Sequence, residues 1–141
     1  MVISARAPPS YSDGMWKQRL APRLALEPDL IVAYLFGSHG RGTADEGSDV
    51  DIGIWLGTTP TRFDDARYGL AADLEEMLGK HVDLVVMNSA SPDLIHRILR
   101  DGEILVENDR SRRIKLEVQA RNQYFDTQPL RAAYRRAVLS R

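Results

Sequence analysis

Apolar positions along this chain follow two rhythms. Ile31 to Phe36 is an uninterrupted apolar run and reads as a buried strand over about 30–36. A second strand pattern runs from about 49 to 56, and a third from His81 to Met87. The apolar density of that third run predicts a central place in the sheet. Glu103 to Glu107 reads as a short fourth strand. Between these runs the spacing changes to that of amphipathic helices. Met15, Trp16, Leu20, Leu24 and Leu26 give one apolar side to a helix capped near Asp13 and ended by Pro28, with Pro22 expected to kink or break it. Gly57 to Pro60 is a turn. A helix from an N-cap at Thr61 to a C-cap at Gly79 follows, with Phe63, Ala66, Tyr68, Leu70, Leu74, Met77 and Leu78 on its apolar face. Ser91-Pro92 opens a helix that ends near Gly102. A long helix is expected from Asp109 to about Asp126, interrupted by Pro129, and then a terminal helix to about Leu139. Helices alternating with strands predict an α/β fold, a single small mixed sheet with flanking helices. Residues 1–12 read as a loose N-terminal tail and residues 13–141 as one domain that includes the C-terminal helices.

The polar residues that interrupt the first two strands carry the chemistry. The first strand breaks at Gly37-Ser38, and the second carries Asp49 and Asp51. Side chains two apart on a strand share a face, about 6.5–7 Å apart. Two carboxylates placed that way repel and lose hydration, which a cation between them offsets. Oxygen-only ligands suit Mg²⁺ or Mn²⁺. A Gly-Ser turn with free backbone N–H groups and a hydroxyl suits phosphate oxygens, and a short turn of helix after Ser38 would present its N-terminus to them. A phosphate cradle beside metal-binding carboxylates is the equipment for moving a phosphoryl or nucleotidyl group.

Gly37-Ser38, ten intervening residues and Asp49-Val50-Asp51, sharpened by Arg41-Gly42 and Ser48, resemble the signature of the polymerase-beta-like nucleotidyltransferases. The short chain resembles the minimal nucleotidyltransferases that act as antitoxins in HEPN/MNT toxin–antitoxin pairs, over roughly residues 15 to 130. The resemblance implies a polymerase-beta-like palm. It implies Asp49, Asp51 and Asp83 as catalytic, metal-binding carboxylates, with two Mg²⁺ ions (Mn²⁺ as a substitute) and ATP as substrate. Gly37, Ser38, Arg41 and Ser48 would then bind the nucleotide phosphates. Asp83 lies in the apolar third strand, where a lone carboxylate is costly. If that strand lies beside the second, the three carboxylates converge, and Asp83 is also placed to take a proton from an attacking hydroxyl. The implied acceptor is a tyrosine hydroxyl of a partner HEPN ribonuclease toxin.

Each residue also has a plainer reading. Asp49 and Asp51 could guard an edge strand, Asp83 could bond backbone amides, and Arg41 could pair Asp45 or Glu46. Ser48 either bonds a phosphate or caps a turn. His39 reads as a solvated loop residue, His81 and His96 as structural. Trp16 and Trp55 read as core or interface, the alternative for Trp55 being the lining of an adenine pocket. Tyr124 and Phe125 read as packing anchors, in a segment with Glu117, Arg121, Asp126, Pro129 and Leu130 that resembles a stretch of minimal nucleotidyltransferases and could form a partner surface.

Composition narrows the class. The 141 residues, 43% hydrophobic and 28% charged, suit one compact domain. The absence of Cys excludes disulfides and thiolate metal sites. No apolar run reaches the ~18–20 residues of a membrane span. The first ten residues lack an apolar core of signal-peptide length, so a cytoplasmic protein is expected. The net charge of −1 hides an asymmetry: residues 110–141 hold nine Arg/Lys against two acids, and the rest hold ten against eighteen. That basic segment is either a solvated helix surface or a docking face for an acidic partner or nucleic acid. Nucleic acid is the weaker prospect as acceptor; assembly with copies of itself or with a toxin is compatible with the pattern. Two competitors to the protein-modifying reading follow from the same residues: an antitoxin that only binds, and an aminoglycoside-type small-molecule nucleotidyltransferase.

Overall fold

The computed structural model describes residues 15–38, 49–59 and 65–139. In chain order the elements are α1 (Met15–Ala25), β1 (Leu30–Phe36), β2 (Val50–Leu56), α2 (Asp65–Leu78), β3 (Val82–Val86), a 3₁₀ turn (Met87–Ser89), α3 (Pro92–Asp101), β4 (Glu103–Glu107) and α4 (Arg110–Leu139). The strands form one mixed sheet in the order β3-β2-β1-β4. β1 is antiparallel to both β2 and β4, and β2 is parallel to β3. The α/β class and single mixed sheet follow the expectation from the sequence.

Strand alternation divides the apolar residues between two faces. Leu35, Ile52 and Leu84 lie on one face, against Leu20 and Leu24 of α1 and Leu70 and Leu74 of α2. Tyr34, Trp55 and Met87 lie on the other, against Ile95 and Ile98 of α3, with Leu116 and Ala120 of α4 partly buried there. Leu20, Leu24, Leu74 and Ile98 are wholly inaccessible to water, and each such side chain contributes about 1.5–3 kcal/mol. Gly53 admits Ile98 of α3 close to β2: a Cβ there would stand 3.2 Å from both Ile98 Cδ1 and Met87 Sδ.

Three local expectations are corrected. β3 is an edge strand, not a central one. Its apolar density has another cause, because both its faces are covered: Val82, Leu84 and Val86 by the α1–α2 side, Val85 by the α3 side. Pro22 does not break α1, which runs through it to Ala25. The buried Trp16, Leu20 and Leu24 around it outweigh the roughly 3 kcal/mol that an interior proline costs. Pro129 likewise lies inside a continuous α4. It withholds the N–H that Phe125's carbonyl would accept. Phe125 and Leu130 are 61% and 73% exposed, so water reaches that carbonyl and the helix continues.

Predicted caps appear where they were expected. The Ser91 hydroxyl accepts from the Leu94 N–H at 3.2 Å, with Pro92 opening α3. Asp109 accepts from the Arg112 N–H at 3.1 Å at the start of α4. Gly79, at φ 67°, ends α2 by donating to Glu75 O at 2.8 Å. The predicted caps at Asp13 and Thr61, the tail 1–12 and the helical turn after Ser38 lie outside the described residues.

One end of the β1–β2 pair is stapled. Asp29 takes a left-handed conformation, φ 66°. Its backbone carbonyl accepts from the Gly57 N–H at 2.8 Å, and its carboxylate accepts from the Thr58 N–H at 2.7 Å. Arg112 at the foot of α4 donates to the Gly57 carbonyl at 3.3 Å. Among the described residues no helix is long and apolar enough to cross a membrane.

Candidate functional site

The opposite end of the sheet carries Gly37, Ser38, Asp49, Asp51 and Asp83. β1 finishes at Phe36, whose partner across the antiparallel ladder is Asp51. Gly37 follows at φ 67°. Its conformation and its missing side chain are both used: a Cβ there would lie 2.2 Å from Asp51 Oδ2. The Gly37 backbone therefore lies directly against the Asp51 carboxylate, and Ser38 comes next, half-buried. This is the close approach that only glycine permits.

Asp51 is half-buried, and Asp49 is exposed just before β2 begins. Alternation puts both on the face that carries Gly53 and Trp55. In the parallel ladder Asp51 is in register with Asp83 of β3. In-register neighbours on adjacent strands share a face and stand about 4.8 Å apart. The expected adjacency of the two strands is thus present, and Asp49, Asp51 and Asp83 share one sheet end. The Val50 N–H donates to His81 O at 3.0 Å, fixing the starts of β2 and β3 together. Glu75 Oε2 supports that corner by accepting from the Val82 N–H at 3.0 Å and meeting His81 Nδ1 at 2.9 Å.

The side chains themselves are not drawn into one cluster. Among the described residues no three His, Cys, Asp or Glu are gathered closely enough to hold a metal ion. Two carboxylate charges about 5 Å apart repel by roughly 1 kcal/mol in water and roughly 3 kcal/mol at an effective dielectric of 20, and rotation about χ1 relieves it. The backbone register brings the carboxylates within reach of a common cation, and their all-oxygen chemistry fits a hard dication. Arg41 and Ser48, like His39, lie outside the described residues.

Other candidates fall into structural places. Trp55 is 4% exposed and meets Tyr34 edge-on, at 6.0 Å between ring centroids. It sits near the stapled end, paired with Val32, so it is core. Trp16 is core as well. His96 stacks on Tyr124 at 3.8 Å with the rings 6° from parallel. Phe125 meets Tyr124 edge-on yet stays largely in solvent, so it is not a buried anchor.

The sequence reading missed a polar clamp on the α4 side. Tyr34 donates from its hydroxyl to Glu117 Oε2 at 2.5 Å, and Arg113 NH1 donates to the same oxygen at 2.9 Å. Arg113 also pairs with Glu107 on β4. Burial and then the bond to Glu117 push the Tyr34 hydroxyl pKa well above its ordinary value. The i,i+4 spacing of Arg113 and Glu117 was the available signal; the partnership with Tyr34 is visible only in three dimensions.

With this geometry in view, residues 18–111 match the family model described as polymerase beta, nucleotidyltransferase. The chain belongs to the polymerase beta nucleotidyltransferase family. Within that family it is 38% identical over 78 residues to the protein adenylyltransferase MntA of Shewanella oneidensis, a match covering 55% of each protein. The match therefore spans about half the length of that curated relative. Two solved structures cover more of the chain. A chain of a toxin–antitoxin crystal structure with AMP-PNP is 30% identical, covers 89% of this chain and 97% of its own length, and has a TM-score of 0.72. A chain of the tri-AMPylated Shewanella oneidensis HEPN toxin in complex with MNT antitoxin is 27% identical, covers 89% and 98%, and also has a TM-score of 0.72. The fold of this nucleotidyltransferase is thus shared with solved minimal nucleotidyltransferases along nearly all of its length.

Proposed function

We propose that the chain is the antitoxin of a toxin–antitoxin pair and a protein adenylyltransferase, moving AMP from ATP to a tyrosine hydroxyl of a HEPN-type toxin. The observation that carries this reading is the Gly37–Asp51–Asp83 arrangement at one sheet end. The similarity to MntA, to a toxin–antitoxin structure with AMP-PNP and to a complex with an AMPylated HEPN toxin supports the donor and the partner.

Asp49, Asp51 and Asp83 are the residues that would hold Mg²⁺, two ions in the fullest case. Bound there, the metal supplies charge neutralisation for the triphosphate and the leaving group. The chain's own residues do the rest. Gly37 and Ser38 offer backbone N–H groups and a hydroxyl to the β- and γ-phosphates. Arg41 and Ser48 add contacts to the same phosphates. The acceptor oxygen attacks the α-phosphorus in line, a new P–O bond forms, the α–β bridging P–O bond breaks, and pyrophosphate leaves. Asp83 takes the hydroxyl proton. Most of the acceleration comes from alignment and electrostatics, since little covalent chemistry falls to the protein.

The test is a transfer assay with full-length chain, Mg²⁺, each labelled nucleoside triphosphate and a HEPN partner, read by the partner's mass. Wild type is expected to add one or more AMP units, and the Asp49→Asn/Asp51→Asn double variant none. If neither adds mass while both still form the complex, the enzymatic reading is overturned in favour of an antitoxin that only binds. Transfer to an aminoglycoside instead of the protein would overturn the acceptor.

A further inference from the structure

A second concave site lies next to the first. Gly102, at the end of α3, packs against β1 so closely that a Cβ there would stand 3.1 Å from Leu35 O. The last turns of α3 therefore end beside the Gly37–Asp51 corner, on the face that carries Asp51. α4 is anchored by Arg113 to Glu107 at the far end of β4 and rises past α3 at about 1.5 Å per residue. Its outer half lines a cleft with α3 through Leu130, Tyr134 and Arg135. Between the two helices is an open cleft of about 690 Å³, lined by Asp93, His96, Arg97, Arg100, Tyr124 and Arg135 among others.

The lining has the chemistry of a nucleotide site. Arg100 is engaged by Asp101 through two contacts of 2.9 Å. Among the described residues, Arg97 and Arg135 have no carboxylate partner. Arg97, Arg100 and Arg135 outnumber the lining's one carboxylate, Asp93, and guanidiniums without a carboxylate partner suit a phosphate, which they can grip with paired N–H donors. The parallel His96–Tyr124 stack can be continued by a base, and Tyr134 is 72% exposed on the same cleft. The volume falls within the range of small-ligand sites. Arginine with stackable aromatic rings is the pairing that holds a base and its phosphate together.

We propose that the α3–α4 cleft is a second nucleotide site, which binds a nucleoside monophosphate group with its phosphate on Arg97 and Arg135 and its base against the Tyr124 stack. The group has two sources of the same chemistry: free nucleotide, or a nucleotide already esterified to an acceptor hydroxyl. In the second case the cleft holds a once-modified acceptor close to the reacting end, which deepens the proposed protein-modifying activity and rests on it. The cleft's affinity for the group does not rest on it.

The experiment is a calorimetric titration of the full chain without divalent metal, using AMP and the adenylyl ester of N-acetyltyrosine amide as probes. The Asp49→Asn/Asp51→Asn protein is expected to bind as wild type does. Arg97→Ala/Arg135→Ala is expected to weaken binding by roughly tenfold or more, with an unchanged melting profile. Similar affinity for both probes assigns the free nucleotide; a tenfold preference for the ester assigns the modified acceptor. Unchanged AMP and ester affinity in the arginine variant overturns the proposal. So does an arginine variant that loses only a protein partner, which marks a docking surface, or only a single-stranded oligoadenylate, which marks a nucleic-acid track. Mass transfer measured alongside separates the two ideas: the arginine variant is expected to keep the first AMP addition, which the aspartate variant loses.

Discussion

Replacing Gly37 by Ala asks whether the close approach of this backbone to Asp51 matters for chemistry or only for folding. A Cβ at this position would lie 2.2 Å from Asp51 Oδ2, and contacts below 3.0 Å do not persist, so the oxygen must retreat by at least about 0.8 Å. Asp51 Oδ2 is the tip of a short side chain, so the displacement falls on that side chain and not on backbone. The stability cost is then mainly that of alanine at φ 67°, roughly 1–2 kcal/mol. The functional cost is larger, because a shift of about 1 Å in a reacting constellation is worth about 10²-fold in rate. Gly37→Asn separates the two. Asn tolerates the left-handed conformation but still carries a Cβ, so it is expected to unfold in urea close to wild type while transferring AMP about 10²-fold more slowly. Gly37→Ala is expected to lose both stability and rate. The assays are urea unfolding and single-turnover transfer to the partner. Wild-type transfer by either variant would refute the inference that Gly37 is kept bare to seat Asp51.

Other expectations are more compact. Above about pH 10, stability of the wild type is expected to fall, because Tyr34 keeps its proton in the folded state while the unfolded chain releases it; Tyr34→Phe should flatten that part of a pH–stability curve and cost about 1–2 kcal/mol at neutral pH. Trp55→Ala, in a residue 4% exposed, is expected to cost about 3–5 kcal/mol in chemical denaturation, with Mg²⁺ dependence of any residual transfer unchanged; a specific loss of ATP affinity would return Trp55 to the nucleotide site. Pro129→Ala restores an N–H inside α4 and is expected to slow amide exchange over residues 130–139 without moving the global transition.

The sequence showed the Asp49–Asp51 face plainly, because alternation on a strand is a strict rule and the spacing from Gly37-Ser38 is distinctive. The register that sets Asp83 opposite Asp51 was conditional on strand order, which no local pattern carries. β3 shows why: an apolar run reports burial of both faces, and an edge strand under two helices satisfies that as well as a central one does. The two prolines misled for a related reason. The rule against interior proline is local, whereas α1 is held by its buried leucines and α4 loses little where its backbone meets water. The Tyr34–Glu117–Arg113–Glu107 clamp joins residues too distant in sequence for any window to pair them. The same holds for the cleft, since Arg97 and Arg135 come to line it together only when α4 packs on α3.

The staple at Asp29 has a consequence for how such a domain diversifies. It ties the β1–β2 pair together at the end away from the carboxylates, through Gly57, Thr58 and Arg112. The register of the pair is therefore held at the end away from the reacting residues. Substitutions at Asp29, Gly57 or Arg112 thus act on strand alignment far from the carboxylates, while substitutions at Gly37, Asp51 or Asp83 act on the chemistry with the staple intact. Selection can therefore adjust strand alignment and chemistry as nearly separate variables.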